Sequence, residues 1–312
     1  MGKIGLITDS SAYLSKKQIQ QYDIDILPIS IVWNNKTYQD LIDIGYHEFY
    51  EKLATESNLP TTSQPSIGEI QTHIDRFIEQ GYTDVIIITL SSGISGTFNN
   101  IQAIAKNEDR IHIHPFDAKV TCAGQADLAM LAGRLIQAGA NVDLILHDLA
   151  DLRKTIGVRF MVDDLKHLKR TGRLSNAASF VGGLLHIKPI LTMDVQNQGK
   201  ISAYGKERQY KRAVKRIETD FKESIKDQPY PIQLTIFDAD SEKRAQEWHE
   251  LYQHDFPSLK IDHSIIGPVV GVHVGQDTLA IIWCRDLDSY FNKDGNLLAA
   301  DKINSPLLTT ID

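Results

Sequence analysis

Seven consecutive positions, Ser91-Ser92-Gly93-Ile94-Ser95-Gly96-Thr97, set four hydroxyls and two glycines between the β-branched run "DVIIITL" (84–90) and the start of a helical pattern. A helix N-terminus leaves backbone N–H groups without partners and carries partial positive charge. Glycines let a ligand approach the backbone, and hydroxyls add donors. This combination suits an anion with several acceptor oxygens, a phosphate or a carboxylate. The plainer reading is a helix cap supplied by Ser95. Two catalytic motifs lie close but fail on their letters. A nucleophile elbow reads G-x-S-x-G, and here Gly96 follows Ser95 directly; a P-loop needs a lysine that is absent. A hydrolase or acyltransferase using Ser95 or Ser92 as nucleophile remains the rival reading, with His112, His114 or His273 as its base.

Two further stretches repeat the chemistry. "PTTSQPS" (60–66) offers Thr61, Thr62, Ser63 and Ser66 in a loop stiffened by Pro60 and Pro65, with Ser66 also placed to cap the helix that follows. "TDSSAYL" (8–14) ends the first strand pattern. Three hydroxyl-bearing loops on successive elements suggest one shared rim.

The elements that must carry these loops alternate strand and helix. Strand patterns cover Lys3–Thr8, Asp25–Val32, Asp84–Leu90 and Ile111–Phe116; helical patterns cover Gly68–Gln80, Gly96–Lys106 and Cys122–Gln137. Continuous apolar strands such as "VIIITL" predict a parallel sheet covered on both faces. A helix over about 140–154 leads into a second unit. Its strand patterns are Ile156–Val162, Ile190–Met193, Ile201–Gly205, Ile232–Asp238, Lys260–Ser264 and Thr278–Cys284. Its helical patterns are Asp163–Lys169, Ala177–His186, Tyr210–Ile225 and Glu242–His254. The fold class is α/β with two α/β domains, residues 1–154 and 155–312, and a polar tail from about residue 285.

With 312 residues, two domains fit the usual domain size. Forty acidic against 33 basic side chains, a net charge of −7, argue against a nucleic-acid surface. No run of 18 apolar residues predicts a membrane span, and "MGKIGLITDSS" has neither region of a signal peptide. Leu6 stands where a myristoylation start has Ser or Thr. Cys122 and Cys284, the two cysteines, form neither a CxxC pair nor a metal cluster. They are expected to pack in the core of a protein in a reducing, cytoplasmic setting.

Seven segments in order resemble the DegV family of bacterial fatty-acid-binding proteins: "TDSSAYL", "PTTSQPS", "SSGISGTFNN" (91–100), "FDAKVTCAGQ" (116–125), "LKRTGRLS" (168–175), "LLHIKPIL" (184–191) and "GPVVGVHVG" (267–275). The resemblance covers roughly residues 3 to 284 and implies two α/β domains with a lipid in the cleft between them. It also implies a bound long-chain fatty acid, no cofactor and no chemistry of the chain's own. Some such proteins present the acid to a fatty acid kinase subunit, which phosphorylates it to acyl-phosphate for phospholipid synthesis. By motif, the carboxylate contacts fall on Thr62, with Thr61 and Ser63 beside it, and on Ser95, with Gly96 and Thr97. Arg208 in "KERQYKRA" and His273 in "GPVVGVHVG" match residues near the headgroup.

A carboxylate in a partly dry site needs such donors to remain charged. Its chain needs apolar walls, for which the candidates are Phe160, Val162, Leu168, Phe180, Val181, Leu184, Leu185, Ile187, Ile190, Leu191, Val269 and Val270, most of which any core would also use. A palmitoyl-sized chain gains on the order of 10 kcal/mol on burial at ~0.8 kcal/mol per methylene. The tail therefore supplies most of the affinity and the hydroxyl loops supply orientation. Lys169, Arg170 and Arg173 in "LKRTGRLS" read first as solvated cations at a helix C-terminus, and second as a docking surface for a kinase subunit. No stable membrane insertion is expected.

Overall fold

Proline 28 divides what reads as one long strand. Proline has no N–H for a ladder, and the segment separates into β2 (Ile24–Leu27) and β3 (Ser30–Trp33), which belong to different sheets. The structure, a computed structural model, describes residues 2–163, 165–175, 187–292 and 294–298. The helix expected over Ala177–His186, and with it Phe180, Val181, Leu184 and Leu185, lies outside the described residues.

The first sheet is parallel, in the order β2, β1 (Ile4–Asp9), β6 (Asp84–Thr89), β7 (His112–Asp117). Its strands are buried and β-branched, as a sheet covered on both faces requires. Helices α3 (Ile67–Glu79) and α4 (Thr97–Ala105) cover one face; Ile70, Ile74, Ile101 and Ile104 there meet Ile7, Val85 and Ile87. Helix α5 (Ala123–Gln137) covers the other, and α6 (Val142–Thr155) packs on α5. The second sheet has six strands in the order β10 (Ile201–Glu207), β9 (Lys188–Met193), β8 (Gly157–Met161), β13 (Leu279–Arg285), β11 (Ile232–Asp238), β12 (Lys260–Ile265). It is mixed, with only β11 and β12 parallel. Helices α8 (Tyr210–Ile225) and α9 (Glu242–Asp255) pack on its outer face.

Helix α5 contacts both sheets. Eleven of its fifteen residues are buried, including four alanines and two glycines. A helix buried all round cannot be amphipathic, and small side chains let two sheets approach it closely. One apolar core consequently runs unbroken from Leu6, Ile86 and Ile88 in the first sheet to Val158, Phe160, Leu191, Ala280 and Ile282 in the second. Beyond β13, Leu287, Tyr290 and Phe291 are buried, and Arg134 pairs with Asp288 at 2.8 Å. The stretch immediately after residue 285 is thus docked.

A third sheet joins β4 (Lys36–Gln39), β3 and β5 (Thr61–Ser63), all antiparallel. Three helices complete the frame: α1 (Lys16–Tyr22), α2 (Tyr46–Thr55) and α7 (Lys166–Thr171). Helix α10 (Pro268–Val274) packs on α2, α7, β3 and β5. The turn between β9 and β10 reaches back to the loop after β6. There the Ser91 hydroxyl donates to the Gly199 carbonyl at 2.8 Å, and the Lys119 ammonium to the Asn197 carbonyl at 2.5 Å.

Gly93 sits inside this clasp. A Cβ there would stand 2.1 Å from the Gln198 carbonyl oxygen and 2.8 Å from the Gly199 carbonyl carbon. Gly93→Ala is expected to lower stability by about 1–3 kcal/mol, the usual cost of forcing packed backbone apart. Gly68→Ala, in the first turn of α3 with nothing within 4 Å of its Cβ, is expected to stabilise by about 0.5–1 kcal/mol. Urea titration followed by circular dichroism measures both signs; a neutral Gly93→Ala contradicts the clasp.

Candidate functional site

The carboxyl ends of β1 and β6 are where the chain turns to opposite sides of the parallel sheet, the crevice where open α/β sheets receive ligands. Asp9 organises this edge. Its Oδ2 accepts from the Leu90 N–H at 2.7 Å, and its Oδ1 from the Ser11 hydroxyl at 2.6 Å and N–H at 3.1 Å. Burial pushes its carboxyl up from the ordinary range, against those hydrogen bonds. Thr121 donates to the Ser11 hydroxyl at 2.9 Å. Gln125 of α5 completes the network, accepting from Ser11 at 3.0 Å and donating to Thr8 at 3.0 Å. Every member is paired, which makes a buried polar network rigid rather than costly.

The loop after β6 enters α4 differently from the expected cap. Gly96 is the N-cap residue and has no side chain to cap α4. Ser95, one position earlier, shares a hydrogen bond with the Thr97 hydroxyl at 2.9 Å and accepts from the Thr97 N–H at 3.3 Å. Helix α3 carries a full capping box from Ser66 and Glu69. The expected Ser95 cap is therefore present only in part, and α4 lacks the full box of α3.

Thr62 comes to the same cavity from β5. Strand side chains alternate between faces, so Thr62 turns inward while Thr61 and Ser63 are exposed. The Thr62 Oγ1 lies 2.9 Å from His273 Nε2 on α10. Helix α10 starts with Pro268 at its first position, as proline prefers. The Val269 N–H meets Asp40 Oδ1 at 3.4 Å and the Val270 N–H meets the Tyr13 hydroxyl at 3.0 Å. Asp40 also accepts from Ser10 at 2.9 Å, and burial raises its carboxyl to about 7.

Thr62, Gln64, Ser95, Gly96, Arg173 and His273 line one pocket, with Ile94, Val269, Val270 and Thr121 among the rest of its wall. Burial, then the charges of Arg173, Arg170 and His167, hold His273 down at about 3. The imidazole is neutral, so Nε2 either donates to Thr62 or accepts from it. Donation leaves the Thr62 proton free for a ligand acceptor.

A second cavity, without polar surface, adjoins the first. Phe160, Val158, Met193, Phe237, Ile282 and Ala280 form its walls. The two share Thr121, Ile201, Val270 and Val274 as a neck. A polar pocket thus adjoins an apolar one.

The structure separates the remaining expected residues. Thr97 is fully buried in the first turn of α4 and does not line the pocket. Arg208 is exposed in the link between β10 and α8. Seven residues along β10 from Ile201, at ~3.3 Å per residue, put it roughly 20 Å from the pocket wall. The cation at the mouth is Arg173. Gly172 (φ +70°) ends α7 in the left-handed region and reverses the chain. Arg173 then donates to the Ile94 carbonyl at 3.3 Å and the Thr171 carbonyl at 2.5 Å. Arg170 donates to the Pro60 carbonyl at 2.9 Å, beside β5. Arg173 is half-buried and lines the pocket, whereas Arg170 is exposed though tied to Pro60, so the solvated reading of this turn holds for Arg170 and is corrected for Arg173.

Among the apolar candidates, Phe160, Val269 and Val270 line the two cavities. Val162, Leu168 and Leu191 are buried in the shared core, with Ile187 packed against it, but none lines a cavity. Ile190 belongs to the separate core beneath α8 and α9, because β9 turns it to the face opposite Leu191. Gln64 stands inside "PTTSQPS" without a hydroxyl to mark it, and Arg173 reads from "LKRTGRLS" as a solvated or docking cation and not as a pocket residue. The nucleophile reading lacks its pair: among the described residues, no hydrogen bond joins Ser95 or Ser92 to a histidine. Ser92 donates to Asp117 at 2.5 Å, His114 pairs with Asp84 at 2.8 Å, and His273 meets Thr62.

The neutral state of His273 has a stability consequence. From about pH 6.5 down to about 3, the unfolded chain takes up a proton at His273 that the folded chain refuses. Its contribution is present above pH 6.5 and is lost as pH falls. Asp40, raised to about 7, acts with the opposite sign over much of that window. His273→Gln removes the first term and leaves the second. Its melting temperature should therefore fall less between pH 7 and pH 5 than that of the parent protein; parallel pH profiles by calorimetry contradict a neutral buried His273.

The family model described as "Uncharacterised protein, DegV family" matches residues 3–286. Protein DegV of Bacillus subtilis is 37% identical over 282 residues, covering 90% of this chain and 99% of that protein. The crystal structure of DegV from B. subtilis, described as a fatty acid binding protein, has a TM-score of 0.84 at 36% identity, with 92% of this chain and 100% of that chain covered. A fatty acid binding DegV family protein from Streptococcus agalactiae gives a TM-score of 0.85 at 31% identity, with the same coverage. The chain belongs to the DegV family.

Proposed function

We propose that this chain binds a long-chain fatty acid, with the carboxylate at the polar mouth and the acyl chain in the apolar cavity. One observation carries the reading: the pocket holding Thr62, Ser95 and Arg173 shares Thr121, Ile201, Val270 and Val274 with an adjoining space without polar surface. Thr62 and Ser95 donate to the carboxylate oxygens, the first turn of α4 adds N–H groups, and Arg173 supplies positive charge. His273 donates to Thr62 and so points the threonine proton at the ligand. Similarity to proteins described as fatty acid binding supports the same ligand class.

Organic extraction of the purified protein followed by mass spectrometry should release a long-chain acid. Ser95→Ala should weaken binding of the acid about tenfold or more, one charge-assisted hydrogen bond, while the protein still takes up lipid. Val270→Trp at the neck should shorten the longest acid accepted. Loss of all lipid in Ser95→Ala, or unchanged length preference in Val270→Trp, overturns this division between mouth and tail.

We further infer that the bound acid is presented to a separate fatty acid kinase subunit in the cytoplasm, yielding acyl-phosphate for phospholipid synthesis. Three features support it: the headgroup pocket reaches the surface at the exposed Gln64, no serine–histidine pair stands beside it among the described residues, and the family resemblance points the same way. ATP-dependent acyl-phosphate formation that requires both this protein and the kinase subunit tests it; formation by either alone contradicts it.

A further inference from the structure

Gln64 is the pocket residue that the hydroxyl pattern does not explain. It stands just past the end of β5, two positions after Thr62. It lines the same pocket as Thr62, Ser95, Arg173 and His273. Unlike these half-buried neighbours it is exposed, so it marks the boundary between pocket and water. Its carboxamide abuts the bare Cα of Gly96 with its oxygen nearest: a Cβ built there would stand 2.4 Å from Gln64 Oε1, 3.3 Å from Cδ and 3.5 Å from Nε2. Among the described residues that carboxamide makes no hydrogen bond within the protein. A primary amide offers two donors and one acceptor, and here they sit beside the first turn of α4, whose N-cap residue Gly96 brings no side chain.

We propose that Gln64 is a headgroup-selecting residue: its amide N–H donates to the outward oxygen of the bound acid, and Gly96 is glycine so that the amide can lie over it. The assignment rests on the fatty-acid reading and deepens it. A carboxylate has about four acceptor sites. Thr62 and Ser95 occupy the inner ones from opposite walls, and Gln64 reaches the outer face. A neutral amide adds a donor without adding charge to a mouth that already holds Arg173. It favours an acid over an alcohol or ester of equal chain length, since these offer the outward donor a weaker acceptor.

The test uses the full chain, delipidated, titrated with palmitate and with hexadecanol by calorimetry. The variants are Gln64→Leu, Gln64→Glu, Gly96→Ala and Gly96→Ala in a Gln64→Ala background. Gln64→Leu should weaken palmitate about tenfold, one charge-assisted hydrogen bond, and leave hexadecanol unchanged. Gln64→Glu should weaken palmitate further at pH 8, through like-charge repulsion, and again spare hexadecanol. Gly96→Ala should weaken palmitate in the parent but not in the Gln64→Ala background, because its new methyl acts by displacing the amide. Equal losses for both ligands make Gln64 a mere roof and overturn the assignment, as does palmitate binding unchanged in every variant. A parent that binds neither ligand overturns the fatty-acid reading itself and this assignment with it.

Discussion

The hydrogen bond between Thr62 and His273 joins positions 211 residues apart and sets the geometry of the site. One partner sits on a three-residue strand of the small sheet and the other on a short helix supported by both lobes. Neither element is long enough to be stable alone; each is fixed by what it packs on. Asp40 and Tyr13 hold the first turn of α10, Arg170 ties the approach to β5, and Tyr50 donates to the Ile266 carbonyl at 2.6 Å just ahead of α10. Because burial and two arginines keep His273 neutral, the pair is a directional dipole rather than an ion pair. Polarity at the mouth is thus set mostly by hydrogen-bond direction, with Arg173 as the charged member.

Beneath that pair, Asp9, Ser11, Thr121 and Gln125 form a buried polar seam at the carboxyl edge of the parallel sheet. Thr121 belongs both to this seam and to the neck between the cavities. Its hydroxyl is committed to Ser11, away from the lumen. A threonine can therefore stand in the wall of an apolar passage without an unpaired polar group.

Much of this was legible in the letters. The alternation of apolar strands and amphipathic helices predicts the two sheets, and Ile232–Asp238 and Tyr210–Ile225 fall on the observed elements. Thr62, Ser95, Gly96 and His273 stand together in the pocket that their motifs suggest. Other features are properties of folding at a distance. Whether Thr61 or Thr62 faces inward is decided by how β5 registers against β3. Ile190 and Leu191 are equivalent as letters, and only the packing of α8 tells them apart. Arg208 and Arg173 are likewise both cations beside turns; Gly172 aims one into the mouth, and the run of β10 carries the other away. The neck residue Ile201 gives no signal at all, since its place depends on two sheets meeting across α5.

The clasp at Gly93 and Gly199 carries a consequence for how a guest could enter. Domains that shut on ligands like a hinged shell need a dry seam that can part. Here one apolar interior passes from sheet to sheet, and main chain touches main chain at the turn where glycine alone fits. Swinging the halves apart would expose that shared interior to water. A long flexible guest is better served by threading lengthwise, its methyl end leading, while the halves stay joined; exchange is then governed by local openings in the wall and not by a global rocking of the molecule.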